Sequence, residues 1–507
     1  MEDSDKWNRA EPGQSRLCRE TRESSTQTDS RIKGHDPRLS KVNLFTLLSL
    51  WMELFPREQP DDGENSQICG TGLVVVKEGK VLGLHCSGAE LHAGQAAIIQ
   101  HGGSLAGCQL YFSRRPCATC LKMIINAGVS QISFWPGDPE ISMLKSMSST
   151  QTNASSKSPS VTDVLDAAAI EKLKSNSRPH ICVLLQPLEP GLVQFVEETS
   201  REDDFMERIT EDDPGLNKEE LFNRQRLRHL KEFSRQFLVG TSKQHTDILV
   251  RMGLGNFCVE PYFSNLRNNM TELVGVLAAV AAGVPQHHYG FYSENFASTL
   301  PPLSQEVARH CIIQARLLAY RTEDPKVGVG AVIWARGQSA VCRGTGCLDF
   351  VGCGYNAYPA GSHYAEYPQM DNKQEDRQRR KYRYIIHAEQ NAITFRSQNI
   401  KPDELTMLFV TKCPCDECVP LIRGAGITHI YTSDQDRDKD KGDISYLRFS
   451  TLKDINKFVW QRKPSISSGP SSHLANGCIG KHSRQPEQEY GNKKLCTKNT
   501  RASPTFR

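Results

Sequence analysis

Two stretches of this 507-residue chain repeat one arrangement of metal-binding side chains. His92-Ala93-Gly94-Gln95 is followed by Pro116-Cys117-Ala118-Thr119-Cys120, and His387-Ala388-Glu389-Gln390 by Pro414-Cys415-Asp416-Glu417-Cys418. One imidazole nitrogen and two thiolates supply three ligands of a tetrahedral zinc and leave a fourth position for water. Glu389 stands two residues past its histidine, where a carboxylate can share the pocket without ligating and carry protons to and from that water. Gly94 occupies the same place in the first copy and cannot. The sequence therefore predicts a catalytic zinc at His387, Cys415 and Cys418 with Glu389 as acid and base. It predicts a second, non-catalytic zinc at His92, Cys117 and Cys120.

A Cys-x-x-Cys pair alone says little. Preceded by His-Ala-Glu about 28 residues upstream, and by a strand running into Pro-Cys, it is the signature of zinc deaminases. Zinc lowers the pKa of bound water from about 15.7 to near 7. The chemistry this suits is hydrolytic loss of an exocyclic amine from an aromatic ring, Glu389 returning the water's proton to a ring nitrogen and the leaving amine. The spacing of Cys415 and Cys418 predicts a helix starting at Cys415 with both thiols on one face, its N-terminus favouring thiolates. Cys413 reads as a core or loop thiol. A closed knuckle with Cys413 as fourth ligand would leave Glu389 without a role.

These sites need strands and helices to hold them. Leu73-Val74-Val75-Val76 and Val81-Leu82-Gly83-Leu84 flank Lys77-Glu78-Gly79-Lys80, a hairpin signal. Helix-like residues run from His92 to Gln100 and from Leu121 to Gly128, and Gln131 to Trp135 and His180 to Leu185 read as strands. In the second region Gln305 to Tyr320 is helical, with Val307, Ile312, Ile313 and Leu317 on one side. Val327 to Trp334, Leu405 to Thr411 and Ile427 to Thr432 read as strands. This alternation predicts an α/β fold, a sheet covered by helices on both faces, occurring twice. The domain reading is a mostly disordered 1–60 carrying a Leu-rich helix, a degenerate copy at 61–195, a helical connector at 196–300, a catalytic domain at 301–461 and a disordered basic tail at 462–507. Leu44, Leu47, Leu48, Trp51, Leu54 and Phe55 suit either a helix docking on the first copy or a nuclear export segment.

Composition bounds the partners. With 62 basic and 58 acidic residues the formal charge is +4, which argues against bulk nucleic-acid binding. The start of the chain lacks the apolar stretch of a signal peptide. No run approaches the roughly 18 apolar residues of a membrane span, and Leu273 to Val284 reads as a buried helix. The 17 cysteines fit free thiols and metal ligands in a reducing compartment better than a disulfide scaffold. Lys481-His482-Ser483-Arg484 and Lys493-Lys494 suggest either a basic tail or a nuclear import signal, hence a cytoplasmic and nuclear protein.

The second region resembles the deoxycytidylate deaminase branch of the cytidine deaminase-like superfamily over about residues 300–435. The likeness rests on Arg321-Thr322-Glu323-Asp324-Pro325-Lys326-Val327-Gly328, Gly354-Tyr355-Asn356-Ala357-Tyr358-Pro359, Tyr384 to Ile393 and Pro414 to Cys418. It implies a mixed five-stranded sheet, a catalytic zinc, a homo-oligomer and a free pyrimidine nucleotide as substrate. It also implies that Asn356 touches sugar or base and that the backbone at Ala388 reads the base carbonyl. The chain departs from that branch at Ala357-Tyr358 and in the loop that follows. Arg377-Gln378-Arg379-Arg380-Lys381-Tyr382-Arg383 precedes the catalytic histidine, and Arg forks suit phosphate oxygens. Arg379, Arg380 and Arg383 are therefore expected to hold phosphates, which makes dCTP at least as good a candidate as dCMP. In the first copy Arg114 and Arg115 read as phosphate ligands or as surface residues. The competing reading is a polynucleotide cytidine deaminase similar to the AID/APOBEC proteins, whose lead-in to Pro-Cys differs from Thr411-Lys412-Cys413 here. A tRNA adenosine deaminase and a zinc scaffold without catalysis are the remaining alternatives.

Overall fold

The computed structural model describes residues 37–56, 70–88, 91–140, 161–207, 217–286, 288–293, 302–324, 328–337, 344–359, 383–433 and 445–463, with Ile209 and Gly361. The expectations for the chain ends and for Arg379, Arg380, Lys481 and Lys493 fall outside these residues.

One order of elements occurs twice. The first copy runs α1 (Lys41–Glu53), β1 (Gly72–Lys77), β2 (Lys80–Cys86), α2 (Ala93–His101), β3 (Gln109–Phe112), α3 (Ala118–Asn126), β4 (Gln131–Phe134), α4 (Val161–Asn176) and β5 (His180–Cys182). A connector follows: α5 (Leu192–Arg201), α6 (Asp204–Glu207), α7 (Lys218–Phe237), α8 (Ser242–Arg251), α9 (Tyr262–Ala282) and β6 (Tyr289–Ser293). The second copy runs α10 (Gln305–Ala319), β7 (Gly330–Arg336), β8 (Leu348–Tyr355), α11 (Ala388–Thr394), β9 (Thr406–Val410), α12 (Cys418–Gly424), β10 (His429–Thr432), α13 (Leu447–Thr451) and β11 (Asn456–Arg462).

The hairpin β1–β2 turns on Glu78 and Gly79, both at positive φ, as a two-residue turn matched to strand twist requires. The first sheet has the order β2-β1-β3-β4-β5, with β1 antiparallel to both neighbours and β3, β4 and β5 parallel. The second repeats this as β8-β7-β9-β10-β11 and adds β6, antiparallel to β11. The expectation of five strands holds for the first sheet only. The sixth strand of the second is the aromatic run Tyr289-Gly290-Phe291-Tyr292, which lies within the stretch read as helical connector and covers the outer edge of β11.

β7 divides the second copy by its alternation. Val332 and Trp334 face α10, whereas Ala331, Ile333 and Ala335 face α11 and α12, in a separate core that also contains Cys415 and Cys418. The α10 side is continuous with the connector helices and with the whole core of the first copy. The corresponding helices α1 and α10 meet there. Trp51 stacks on His310 with ring centroids 4.6 Å apart, and its indole N–H donates to the His310 carbonyl at 3.0 Å. Both helices sit hard on their own first strand, since a side chain at Gly72 would overlap the Ser49 carbonyl and one at Gly330 the Ala315 carbonyl. Leu44, Leu47, Leu48, Trp51, Ile312, Ile313 and Leu317 are all buried. α1 packs on β1 and β3 as well as on α10, as a helix docking on the first copy would, and its leucines are not displayed on the surface as an export segment would require. Residues Leu273 to Ala282 form the buried end of α9, and Val284 is buried just past it; no helix among the described residues is long and apolar enough to cross a membrane.

Candidate active site

Each histidine stands just ahead of a helix, at its N-cap, in extended backbone. The glutamine three residues on closes that cap: Gln390 Oε1 accepts the His387 N–H at 2.8 Å, and Gln95 Oε1 accepts the His92 N–H at 2.9 Å. This is half of a capping box and explains the fourth residue of both His-Ala-x-Gln runs. Ile386 forms an antiparallel bridge with Ala357, which stitches His387 to the segment containing Asn356.

β9 and β3 deliver the cysteines at their carboxyl ends, where open α/β sheets place ligands. Cys117 caps α3, and Cys120 lies in its first turn. In the second copy the helix begins at Cys418, not at Cys415 as the spacing predicted. Pro420 is tolerated only in the first turn of a helix. The Cys415 carbonyl accepts the N–H groups of both Cys418 and Val419, so Cys415 sits in the turn leading into α12.

His387 Nδ1 lies 3.3 Å from Cys415 Sγ and 3.3 Å from Cys418 Sγ. Donors on one tetrahedral zinc, at about 2.0–2.1 Å for nitrogen and about 2.3 Å for sulfur, stand roughly 3.5 Å apart. The three side chains therefore fit the ion without rearrangement. The Cys418 thiol, with His387 after it and against the effect of burial, holds the Cys415 pKa down to about 4, the direction that favours a thiolate ligand. Glu389 is buried in the first turn of α11 and hydrogen-bonds the Cys418 thiol. Burial pushes its carboxyl up to about 7.

Around this centre, Gly354 lets β8 lie against α11: a Cβ there would come within 2.6 Å of the Ala388 carbonyl and of the Ala392 nitrogen. The Asn391 amide donates to the Tyr355 carbonyl at 2.8 Å. Asn356 is buried, and its side-chain oxygen accepts from the Thr322 hydroxyl at 2.7 Å and the Val329 N–H at 2.8 Å. Those bonds fix the orientation of its amide. Ala388 is the buried first residue of α11, and Arg383 is exposed four residues before His387. Cys413 is buried in the same core and does not belong to the ligand group.

The first copy gathers a different set. His92 Nδ1 lies 3.5 Å from Cys117 Sγ, and Cys120 completes the triplet. A fourth ligand-type residue, Glu140, joins them, with Oε2 3.2 Å from His92 Nδ1. It follows β4, outside both motifs, and no spacing rule points to it. Gly94 is closely covered: a Cβ would lie 3.0 Å from Ile124 Cδ1 and 3.1 Å from Cys120 Cβ. Arg114 and Arg115 are both buried rather than on the surface. Arg114 donates to Glu53 through Nε at 2.9 Å and Nη2 at 2.6 Å, because a guanidinium this deep needs a carboxylate, and this removes it as a phosphate ligand.

Comparison with known proteins identifies the family. Residues 59–135 and 305–433 match the family described as the cytidine and deoxycytidylate deaminase zinc-binding region. The chain is 58% identical, over 87% of its length and 94% of the relative's, to cytidine and dCMP deaminase domain-containing protein 1 of Danio rerio. It is 34% identical to the deoxycytidylate deaminase of Homo sapiens over 32% of this chain and 87% of that one. Among solved structures, dCMP deaminase from the cyanophage S-TIM5 in complex with dCMP and dUMP aligns at 24% identity and a TM-score of 0.20, covering 26% of this chain and 82% of that chain. With its doubled zinc-binding region and its likeness along most of the chain to one such protein, this chain belongs to the cytidine and deoxycytidylate deaminase family, as a zinc-dependent deaminase.

Proposed function

We propose that the second copy converts a free deoxycytidine nucleotide, dCMP or dCTP, to the deoxyuridine nucleotide with release of ammonia. The observation that carries this is the meeting of a buried Glu389 with His387, Cys415 and Cys418 beside the Asn356 segment. His387, Cys415 and Cys418 would hold the zinc, which supplies Lewis-acid activation of water. Glu389 is the proton carrier: its carboxylate takes one proton from the attacking water and delivers it to the ring nitrogen next to the reacting carbon, then takes the second from the new hydroxyl and gives it to the departing amine, ending as the carboxylate it began as. Water and deoxycytidine nucleotide go in, and deoxyuridine nucleotide and ammonia come out. Asn356 orients sugar or base through an amide fixed by Thr322 and Val329. The backbone of Ala388 reads the base carbonyl.

Phosphate recognition is assigned to Arg379, Arg380 and Arg383; with Arg377 and Lys381 they make five basic residues in the seven from 377 to 383, more charge than a monophosphate requires. The names of the relatives support dCMP; the basic loop supports dCTP. The test is a deamination panel of dC, dCMP, dCDP, dCTP, CMP, CTP and single-stranded DNA on zinc-loaded protein, with Glu389→Ala as control. Turnover of a deoxycytidine nucleotide that alanines at Arg379, Arg380 and Arg383 weaken through KM is the expected result. Turnover of DNA and of no mononucleotide overturns it. We further infer a homo-oligomer, a cytoplasmic and nuclear enzyme, and a second zinc at His92, Cys117 and Cys120 that does not catalyse.

A further inference from the structure

We infer that Glu140 is the fourth ligand of the first metal site and closes it to water and to substrate. This rests on the reading that His92, Cys117 and Cys120 hold zinc, and it goes beyond it by assigning the coordination position that distinguishes a structural site from a catalytic one.

The argument starts from which histidine nitrogen Glu140 approaches. A carboxylate that only supports a zinc-bound histidine hydrogen-bonds the ring nitrogen remote from the metal. Glu140 Oε2 instead lies 3.2 Å from Nδ1, and this is the nitrogen that faces Cys117 Sγ at 3.5 Å. The oxygen is thus on the metal side of the ring. Its separation from Nδ1 is what two donors at about 2.0–2.2 Å from one tetrahedral ion would have, and it belongs to the same close group as both sulfurs.

The carboxylate is also held there. Glu140 is buried. Its backbone N–H donates to the Arg115 carbonyl at 3.1 Å, which fixes it beside the Cys117 loop. Oε2 accepts the Cys117 N–H at 3.1 Å, and Oε1 accepts the Ser87 hydroxyl at 3.3 Å. Ser87 in turn accepts the Ala93 N–H at 3.0 Å, which couples Glu140 to the first turn of α2. Two thiolates and one carboxylate around a dication leave one surplus negative charge, and the N-terminus of α3 is positioned to offset it. Asp166 takes up the next N–H of that terminus, at Ala118, at 2.8 Å. Two of the chain's own carboxylates therefore occupy the end of α3 where an anionic ligand would otherwise bind.

The first copy has thus not simply lost an acid. The carboxylate absent at Gly94 on the histidine helix is supplied after β4, and from that direction it fills the position water needs instead of serving it.

Cobalt replacing zinc in the full chain reads this out without reference to turnover. An open tetrahedral cobalt binds azide or thiocyanate with a change in its visible d–d bands, and a closed one does not. The expected result is two metal ions per chain, of which one responds to anion. Glu140→Gln, which keeps the shape of the side chain, and Glu140→Ala should raise the anion-sensitive fraction from one ion to two. A chain that holds one metal ion, bound by the second copy alone, overturns the reading of the first triplet as a zinc site and this inference with it. Two ions that both respond in the unaltered protein overturn the assignment of Glu140 while leaving the triplet intact, and this result needs no variant to fold. A response unchanged by Glu140→Gln counts equally against it.

Discussion

The two metal sites share a histidine at an N-cap, a glutamine that closes that cap and a cysteine pair at the end of a parallel strand, yet their fourth positions are prepared in opposite ways. In the second copy the carboxylate comes from the histidine's own helix, two residues on, where it meets a thiol and borders the pocket. In the first it comes from beyond β4 and lies on the metal side of the ring. A deaminase site thus depends less on possessing a carboxylate than on the direction from which it enters.

The largest effect that tests this contrast is at Glu389. Glu389→Ala should lower kcat by about 10²–10⁴-fold or more, with metal content per chain unchanged by elemental analysis. Gly94→Glu, made in that background, should restore nothing. Its first side-chain carbon must displace Ile124 and Cys120, and the fourth position is taken. Recovery of turnover in the double variant would show the copies to be more alike than the geometry allows.

Next in size is the seam between the copies. Trp51→Ala removes a buried ring stacked on His310, and should cost about 3–5 kcal/mol in denaturant unfolding. Because one core runs from the first sheet to the α10 face of the second, loss of fluorescence from the first copy and loss of deamination by the second should occur in one transition. Separate midpoints would divide what the packing joins.

Gly354→Ala acts within the second copy alone. The added methyl meets backbone of α11 on two sides, so overpacking of about 1–3 kcal/mol is expected. It should be accompanied by a fall in kcat/KM, since the same strand leads into Asn356. A variant that loses stability but retains full kcat/KM would detach the strand from substrate recognition.

The smallest effect is a pH dependence. Burial, with the charge of Arg309 adding to it, holds the His310 pKa well below its ordinary value, so the folded chain keeps this ring neutral. The unfolded chain takes up a proton there below about pH 6.5. Stability from this group is therefore complete above about pH 6.5 and is lost as pH falls beneath it, by at most about 1.4 kcal/mol per pH unit. His310→Phe, which keeps a ring against Trp51, should flatten the fall in melting temperature between pH 6.5 and 5.5.

Much of the chemistry was legible in local order, because metal ligands on a helix cap and a following strand end keep short, recognisable spacings. Both triplets, Glu389, the β1–β2 hairpin and α10 are of this kind. What escaped depends on partners distant in sequence. Glu140 reaches the first site only through the parallel pairing of β3 with β4, β6 finds its place only against β11, and the burial of Arg114 is set by Glu53 on α1. The leucines of α1 carry the periodicity of a docking helix and of an export segment alike, and only the surfaces that cover them, the first sheet and α10, distinguish the two. The start of α12 departs from the cysteine spacing because Pro420 fits only in the first turn of a helix, which puts that turn at Cys418.

The packing of α1 on α10 has a consequence for dilution. When two like subunits meet through equivalent helices, their pairing weakens as protein concentration falls. Here both helices belong to one polypeptide, and the local concentration of one for the other is set by the connector. The catalytic copy keeps its neighbour at any expression level. A substitution on the face of α1 that meets α10 should therefore reach the second copy at any protein concentration, whereas one at the first metal group should not.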